Sequence, residues 1–398
     1  MRFLVGFSGL LAAVFLLVGC ERQDAAPLDQ QLYIWQRQWT PAHEPALKDS
    51  RGDFSTLRVL ALQAFPRAGW SRARINAQLL KDDGRPLIAV IRLDGQLKSL
   101  DQDQVTAQIL QVIDDWQQQG LTLAGVEIDH DAGNARLPAY SEFLAHLRSA
   151  LPASLPLSIT ALPAWLDSAQ LPALLATVDS SVLQVHAVSD PRRGLFDPQQ
   201  AQRWAKAWAR VTQKPFYLAL PAYGVALLPD DGGAPVVESE VPVGQGGERR
   251  ELLADPLQLS QLAQALRDDR PSHLAGLIWF RLPLAHDRRA WSLTTLRAVS
   301  RGDALTSHFA VTITAQGDLY DISLGNQGNL DAPWPARLSV AVSGCEGADA
   351  LAGYTLQQSP DLLTFTRLND GRLPAGKQRA IGWARCAHID QGASHVDP

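Results

Sequence analysis

Eight short apolar runs recur between residues 32 and 280, at 32–37, 57–65, 86–93, 123–131, 157–162, 182–188, 216–220 and 274–280. Each has the length of a strand, and helical patterns lie between several of them. Residues 103–119 carry Val105, Ile109, Val112, Ile113 and Trp116 near helical spacing, and Gly120 supplies a stop. Residues 137–151 carry Tyr140, Phe143, Leu144, Leu147 and Leu151 and end before Pro152; 198–211 place Trp204 and Trp208 on one face, and 257–266 follow the same logic. The connection 38–56 is weakly helical and reads mostly as loop. Near-continuous apolar strands that alternate with helices belong in a parallel sheet covered on both faces. The expected architecture is therefore an α/β (β/α)₈ TIM-like barrel over residues 32–304; a doubly wound open sheet is the alternative.

The fourth run ends in acids: Val126-Glu127-Ile128-Asp129-His130-Asp131. Side chains alternate along a strand, so Glu127, Asp129 and Asp131 share one face while Val126 and Ile128 pack under helices. At roughly 3.3 Å per residue, the three carboxylates fall within about 13 Å. Like charges that close repel and push their pKa values apart. The arrangement points to a use for the acids; the bland alternative is that they cap the next helix or pair with arginines. Barrel chemistry sits at the C-terminal ends of strands, where Asp129, Asp131, Arg92, His186, Tyr223 and Arg281 also fall. The Gly-, Pro- and acid-rich stretch 229–250 is either a loop over that mouth or a plain surface excursion.

From about residue 305 the texture changes. Alternating runs at 308–313, 319–324, 337–342 and 380–384, separated by turn residues such as Gly317, Asn326 and Gly328, read as a small all-β sandwich over 305–398. Net charge is -5, which offers no basic patch for nucleic acid. No Cys/His spacing suits a metal, and no cofactor is expected.

Residues 1–20 read as a targeting segment: Met1-Arg2, an apolar run from Phe3 to Val18, then Leu17-Val18-Gly19-Cys20. The last four resemble a bacterial lipobox, which implies lipidation of Cys20 and a tether over 21–31. The chain is then expected in the bacterial envelope, facing the periplasm and held to the membrane through that lipid. Glu21, where an aspartate would favour the inner membrane, implies the outer one. Cys345 and Cys386 remain, and in an oxidising compartment they are a natural disulfide.

The acid strand resembles that of chitinase-type (family 18) glycoside hydrolases, whose fourth barrel strand ends in a motif like Asp-Gly-Leu-Asp-Ile-Asp-Trp-Glu. Here the first acid is Glu127, and the last, which carries the general-acid role in that family, is Asp131. Ala219-Leu220-Pro221-Ala222-Tyr223-Gly224 resembles the family's Gly-x-Pro-x-Tyr-Gly, and Gly276-Leu277-Ile278-Trp279 its tryptophan-bearing strand. The third strand lacks Ser-x-Gly-Gly. The sixth has Gln184-Val185-His186-Ala187 in place of Met-x-Tyr-Asp, so acetamido-sugar specificity does not carry over. The acid strand, with Tyr140-Ser141-Glu142-Phe143-Leu144 and Leu147-Arg148, is closer still to an uncharacterised family of bacterial lipoproteins, the domain of unknown function 3142, which implies no known activity.

The resemblance implies an exported hydrolase of an envelope or exopolysaccharide glycan. Asp131 would protonate the leaving oxygen, Asp129 would orient the reacting group or share its proton, and Glu127, one layer deeper, would hold Asp129 protonated or raise the pKa of the set. A second carboxylate would come from Asp94 or Asp190. Trp279, Trp35 and Tyr223 are candidates to line a sugar subsite, with His186 beside them; Arg92 and Arg281 either contact substrate or neutralise the acids. A non-catalytic sugar-binding or scaffold lipoprotein on a decayed barrel is the rival reading, and a divalent-cation site in the acid row a third.

Overall fold

The structure, a computed structural model, describes residues 27–185, 194–228, 236–238 and 250–397. The segment around Cys20, His186, Asp190 and most of the 229–250 stretch lie outside the described residues. The main sheet has nine strands, of which Gly69–Arg72 is a short antiparallel strand on the second, and the other eight form the barrel: β1 (Asp29–Ile34), β2 (Thr56–Phe65), β3 (Leu87–Leu93), β4 (Leu123–His130), β5 (Leu157–Ala161), β6 (Ser180–Gln184), β7 (Phe216–Pro221) and β8 (Leu274–Phe280). These eight pair in parallel, and β1 joins both β8 and β2, so the sheet closes into a barrel. The open-sheet alternative is excluded. At the closure Asp29 sits opposite Gly276, and a Cβ at 276 would come 2.2 Å from the Asp29 carbonyl oxygen. A side chain there would force β1 and β8 apart.

A helix follows every strand: α1 (His43–Ser50), α2 (Ala77–Asp83), α3 (Gln102–Gln118), α4 (Leu137–Ala150), α5 (Leu171–Ala176), α6 (Pro198–Val211), α7 (Pro256–Asp268) and α8 (Leu293–Arg301). Asp101, Asp197 and Asp255 cap α3, α6 and α7 by accepting backbone N–H bonds. α1 lies inside the connection read as mostly loop, and α2, α5 and α8 are too short or too polar for a sequence pattern to announce.

The alternation of side chains divides the core in two. Val126 and Ile128 join Ile109, Trp116, Phe143 and Trp208 in the layer between strands and helices, as expected. Tyr33, Val90, Val182, Ala219 and Ile278, one from each of five strands, meet inside the barrel. Glu127 and Asp129 point into that same interior, into the small volume that barrels fill with layered side chains.

Beyond α8 the chain is all antiparallel β. β9 (Phe309–Gln316), β10 (Leu319–Asn326), β11 (Arg337–Ala350), β12 (Tyr354–Gln358), β13 (Leu362–Arg367) and β14 (Gln378–Asp397) form a sheet in the order β9-β10-β14-β11-β13-β12. It has its own core around Leu338, Val340, Leu363, Phe365 and Ile381. A buried carboxylate docks it on the barrel. Asp331 accepts from the Ser292 backbone at 2.7 Å and Thr295 Oγ1 at 3.0 Å, on the α8 side, and from the Ala375 backbone at 2.8 Å, on the β side.

Cys345 on β11 and Cys386 on β14 are register partners and form a disulfide. Iodoacetamide applied to the unfolded, unreduced protein should leave both unlabelled. The Cys345→Ser/Cys386→Ser variant should lose about 2–5 kcal/mol of stability in the β region, the usual cost of removing such a bridge. Alkylation of both thiols, or unchanged denaturant melts, contradicts this.

Candidate functional site

The acid row is graded in depth. Glu127 and Asp129 lie within β4, and Asp131 follows its last residue, His130. Side-chain exposure rises from 0% at Glu127 to 4% at Asp129 and 32% at Asp131. Only the last two line the cavity of about 390 Å³ at the barrel mouth.

Glu127 sits beneath that cavity. One of its oxygens accepts from Tyr33 Oη at 2.6 Å, and the other pairs with Arg58 on β2. Arg58 is itself buried, lies 5.2 Å from the Tyr217 ring centre and donates through Nε to Gln31 at 2.8 Å. Burial pushes the Glu127 carboxyl up from its usual range, against the pull of Arg58 and the Tyr33 hydrogen bond. Burial and the neighbouring Glu127 charge also push the Tyr33 phenol up.

Asp129 is held from three sides. Thr160 Oγ1 on β5 donates at 2.6 Å and Gln184 Nε2 on β6 at 3.2 Å to one oxygen; Arg92 Nη1 on β3 donates at 2.8 Å to the other. The second Arg92 nitrogen reaches Asp131 Oδ2 at 2.5 Å, so one guanidinium bridges two acids. Burial raises the Asp129 carboxyl; Arg92 opposes that shift and Asp131 adds to it. For Arg92, burial pulls down, but the two aspartates outweigh it and the guanidinium is held charged more firmly than usual. The acids are therefore not three bare like charges, because two arginines stand among them. Asp131 Oδ1 is buried and accepts no hydrogen bond among the described residues. Gly95 packs against the same residue, where a Cβ would come 2.4 Å from the Asp131 carbonyl oxygen. His130 turns away from the site: Nδ1 lies 2.8 Å from the Leu93 carbonyl oxygen, and burial lowers its pKa.

The cavity has two unlike arcs. Arg92, Asp129, Thr160 and Gln184 come from β3, β4, β5 and β6 and carry hydrogen-bonding groups. Opposite them, Tyr223, Phe280, Trp35 and Phe65 come from the ends of β7, β8, β1 and β2 and carry rings. Phe280 lies edge-on to Trp35 at 5.1 Å and to Tyr223 at 5.3 Å. An apolar wall facing a polar one is the lining that a sugar ring, apolar on its faces and polar on its rim, requires.

Of the residues singled out in the sequence, Asp129, Asp131, Arg92, Trp35, Tyr223 and Arg281 do meet around this cavity. Trp279 does not. It is fully buried in the strand–helix layer, donates to Gln30 at 2.8 Å and packs on Trp291; the ring that enters the cavity from β8 is the next residue, Phe280. Glu127 is one layer below the cavity. Arg281 pairs with Asp287 at 2.6 Å rather than with the acid row. Thr160, Gln184, Phe65 and Arg58 were not singled out. Their signal was a polar or aromatic residue at an inward position of an otherwise apolar run, which becomes readable only once the inward parity of each strand is known.

Glu127→Gln keeps the shape but leaves Arg58 buried without a countercharge. The expected loss is about 3–5 kcal/mol, read in denaturant melts. Exchanging Arg58 for Met in the same chain should recover part of it. An unchanged midpoint in the single variant would show that the pair does not matter to stability.

The sequence profile of a family described as domain of unknown function (DUF3142) matches residues 83–285, just over half of the chain. A second, DUF8456, also a domain of unknown function, matches residues 309–387. No curated protein matches the sequence. Among solved structures, the spore cortex-lytic enzyme SleL of Bacillus cereus is similar over 70% of this chain and 75% of its own, at 13% identity and a TM-score of 0.52. A chitinase from Bacteroides thetaiotaomicron is similar over 70% and 97%, at 10% identity and 0.50. The likeness is one of fold, a closed (β/α)₈ barrel.

Proposed function

We propose, for a chain that belongs to the DUF3142 family, that the barrel mouth binds a glycan and hydrolyses it, with Asp131 as the acid. The observation that carries this reading is the pair of opposed arcs, aromatic and hydrogen-bonding, with the solvent-reaching carboxyl of Asp131 at the seam between strand and cavity. Enzymes with chitinase and cortex-lytic names share the fold, and a glycan of the cell envelope or an exopolysaccharide is the proposed substrate. Asp131, as the carboxylic acid, gives its proton to the glycosidic oxygen while the C–O bond breaks. Asp94, from the loop after β3, lines the same cavity and takes the proton of the attacking water. Asp129, fixed by Thr160, Gln184 and Arg92, positions the site through Arg92 rather than reacting, and Glu127 supports it from below.

A second reading has one observation in its favour. Arg92 holds Asp129 and Asp131 in a single clamp, and a working acid must be freed from it to reach the leaving oxygen. If the clamp stays shut, the barrel binds a glycan without cleaving it. A panel of envelope and exopolysaccharide oligosaccharides, assayed for products and for binding, separates the two. Asp131→Asn should lower turnover about 10²–10⁴-fold, the usual weight of general-acid catalysis, with an unchanged melting temperature. Turnover at the wild-type rate would show that Asp131 is not the acid, and binding without turnover in the wild type would establish the second reading.

The location is part of the same proposal. Lipidation of Cys20, at the end of the apolar run from Phe3, would hold the barrel on the periplasmic side of the outer membrane. Cys20→Ser should release the protein from the membrane fraction or leave an unprocessed precursor. Membrane fractionation and processing like the wild type would contradict the anchor.

A further inference from the structure

The charges around the cavity are not equally engaged. On the polar arc, Arg92 is committed to Asp129 and Asp131. At the floor, Arg58 is committed to Glu127, and on the aromatic arc Arg281 has Asp287 as a partner. Arg37 is different. It follows β1, lines the cavity and is exposed, and among the described residues no carboxylate lies within ion-pair distance of it. Its guanidinium is nevertheless oriented. Nε donates at 2.6 Å to Oε1 of Gln63, a side chain on β2 that is only 5% exposed, and the guanidinium carbon lies 5.5 Å from the Phe65 ring centre. With Nε taken by Gln63 and one face covered by Phe65, the two terminal nitrogens remain as a fixed pair of donors. That is the fork which matches a carboxylate two bonds at a time.

A long surface arginine usually spends rotamer entropy when it binds, and here buried Gln63 and Phe65 have already restricted the side chain. Asp94, on the loop after β3, is the lining carboxylate with no arginine in ion-pair distance among the described residues; its Oδ1 caps a turn by accepting from the Gln96 backbone at 2.8 Å. The lining thus carries a cation at Arg37 and an anion at Asp94, and an anionic group on a sugar is drawn to Arg37 and kept from Asp94.

We propose that Arg37 binds the carboxylate of an acidic sugar, such as a uronic acid, whose ring lies against the aromatic arc. This rests on the glycan-binding reading of the cavity and narrows it to carboxylate-bearing glycans. The carboxylate accepts from both terminal nitrogens of Arg37, while the sugar's hydroxyl edge faces Thr160, Gln184 and the acids.

The test uses the full mature chain and paired probes. Uronate-containing oligosaccharides are compared with the same molecules after carboxyl reduction, which turns each uronate into its neutral sugar and leaves the linkages intact. The wild type should bind the acidic members at least tenfold more tightly than their reduced partners, with the difference shrinking in high salt. Arg37→Gln should abolish the difference without moving the melting temperature, since the residue is exposed, and Arg37→Lys should keep part of it. Equal binding of acidic and reduced probes, or acid selectivity that survives Arg37→Gln, overturns the assignment and leaves the glycan-binding reading standing. Binding of no probe of either kind overturns both.

Discussion

The bridge from Arg92 to Asp129 and Asp131 is the interaction on which the site depends. An isolated carboxylate inside a barrel costs far more than a domain's net stability allows, so buried charges persist only when paired and hydrogen-bonded. Parallel register solves this locally. Arg92 and Asp129 are opposite one another on β3 and β4, and Arg58 faces Tyr33 across β2 and β1. Arg92 thus lies beside Asp129 on the neighbouring strand, whereas Arg58 on β2 reaches past β3, through the barrel interior, to Glu127 on β4. The result is two stacked ionic layers, Arg58 with Glu127 below and Arg92 with Asp129 and Asp131 above. The lower layer is closed over by Tyr33 and Ser158 and is structural in character; the upper one opens on the cavity.

Much of this was legible because a barrel strand buried on both faces leaves a long apolar run, and eight such runs in order admit few topologies. The acid strand was legible in more detail because its acids themselves mark the inward parity, which is why Val126 and Ile128 fall on the helix side as expected. Strand β8 carries no such marker. Leu-Ile-Trp-Phe is apolar at every position, so nothing in it distinguishes Trp279, which faces the helices, from Phe280, which enters the cavity. Arg58, the countercharge of the lower layer, stood as one polar residue in a run read for its apolar content. The short helices α1, α2 and α5 were unreadable for a different reason: at six to eight residues their stability comes from packing on the barrel, not from propensity.

The departures from the family-18 pattern fit together when viewed from Arg92. A glutamate at the end of the acid strand would extend one methylene further into the cavity; Asp131 stops short and is met by an arginine from β3. On the sixth strand, Gln184 donates to Asp129. Arg92, Thr160 and Gln184 together hold Asp129 from three other strands, β3, β5 and β6, and make the polar arc rigid. On the proposed reading, that arc would fix where a glycan's hydroxyls sit.

The aromatic arc then fixes the rest. Rings at the ends of β7, β8, β1 and β2 offer area but little direction, because a ring face accepts any apolar sugar face. Direction on that side has to come from a polar group among the rings, and Gln63 with Arg37 is one, braced from within the barrel wall. A neutral sugar would leave the two terminal nitrogens of Arg37 to water, at little cost because that end is exposed. A charged sugar would exchange that water for a bidentate pair beside an aromatic wall, where the effective dielectric is lower than in bulk. On the proposed glycan-binding reading, the acid-and-amide arc would therefore set the ligand's pose, and the cation on the opposite arc its charge.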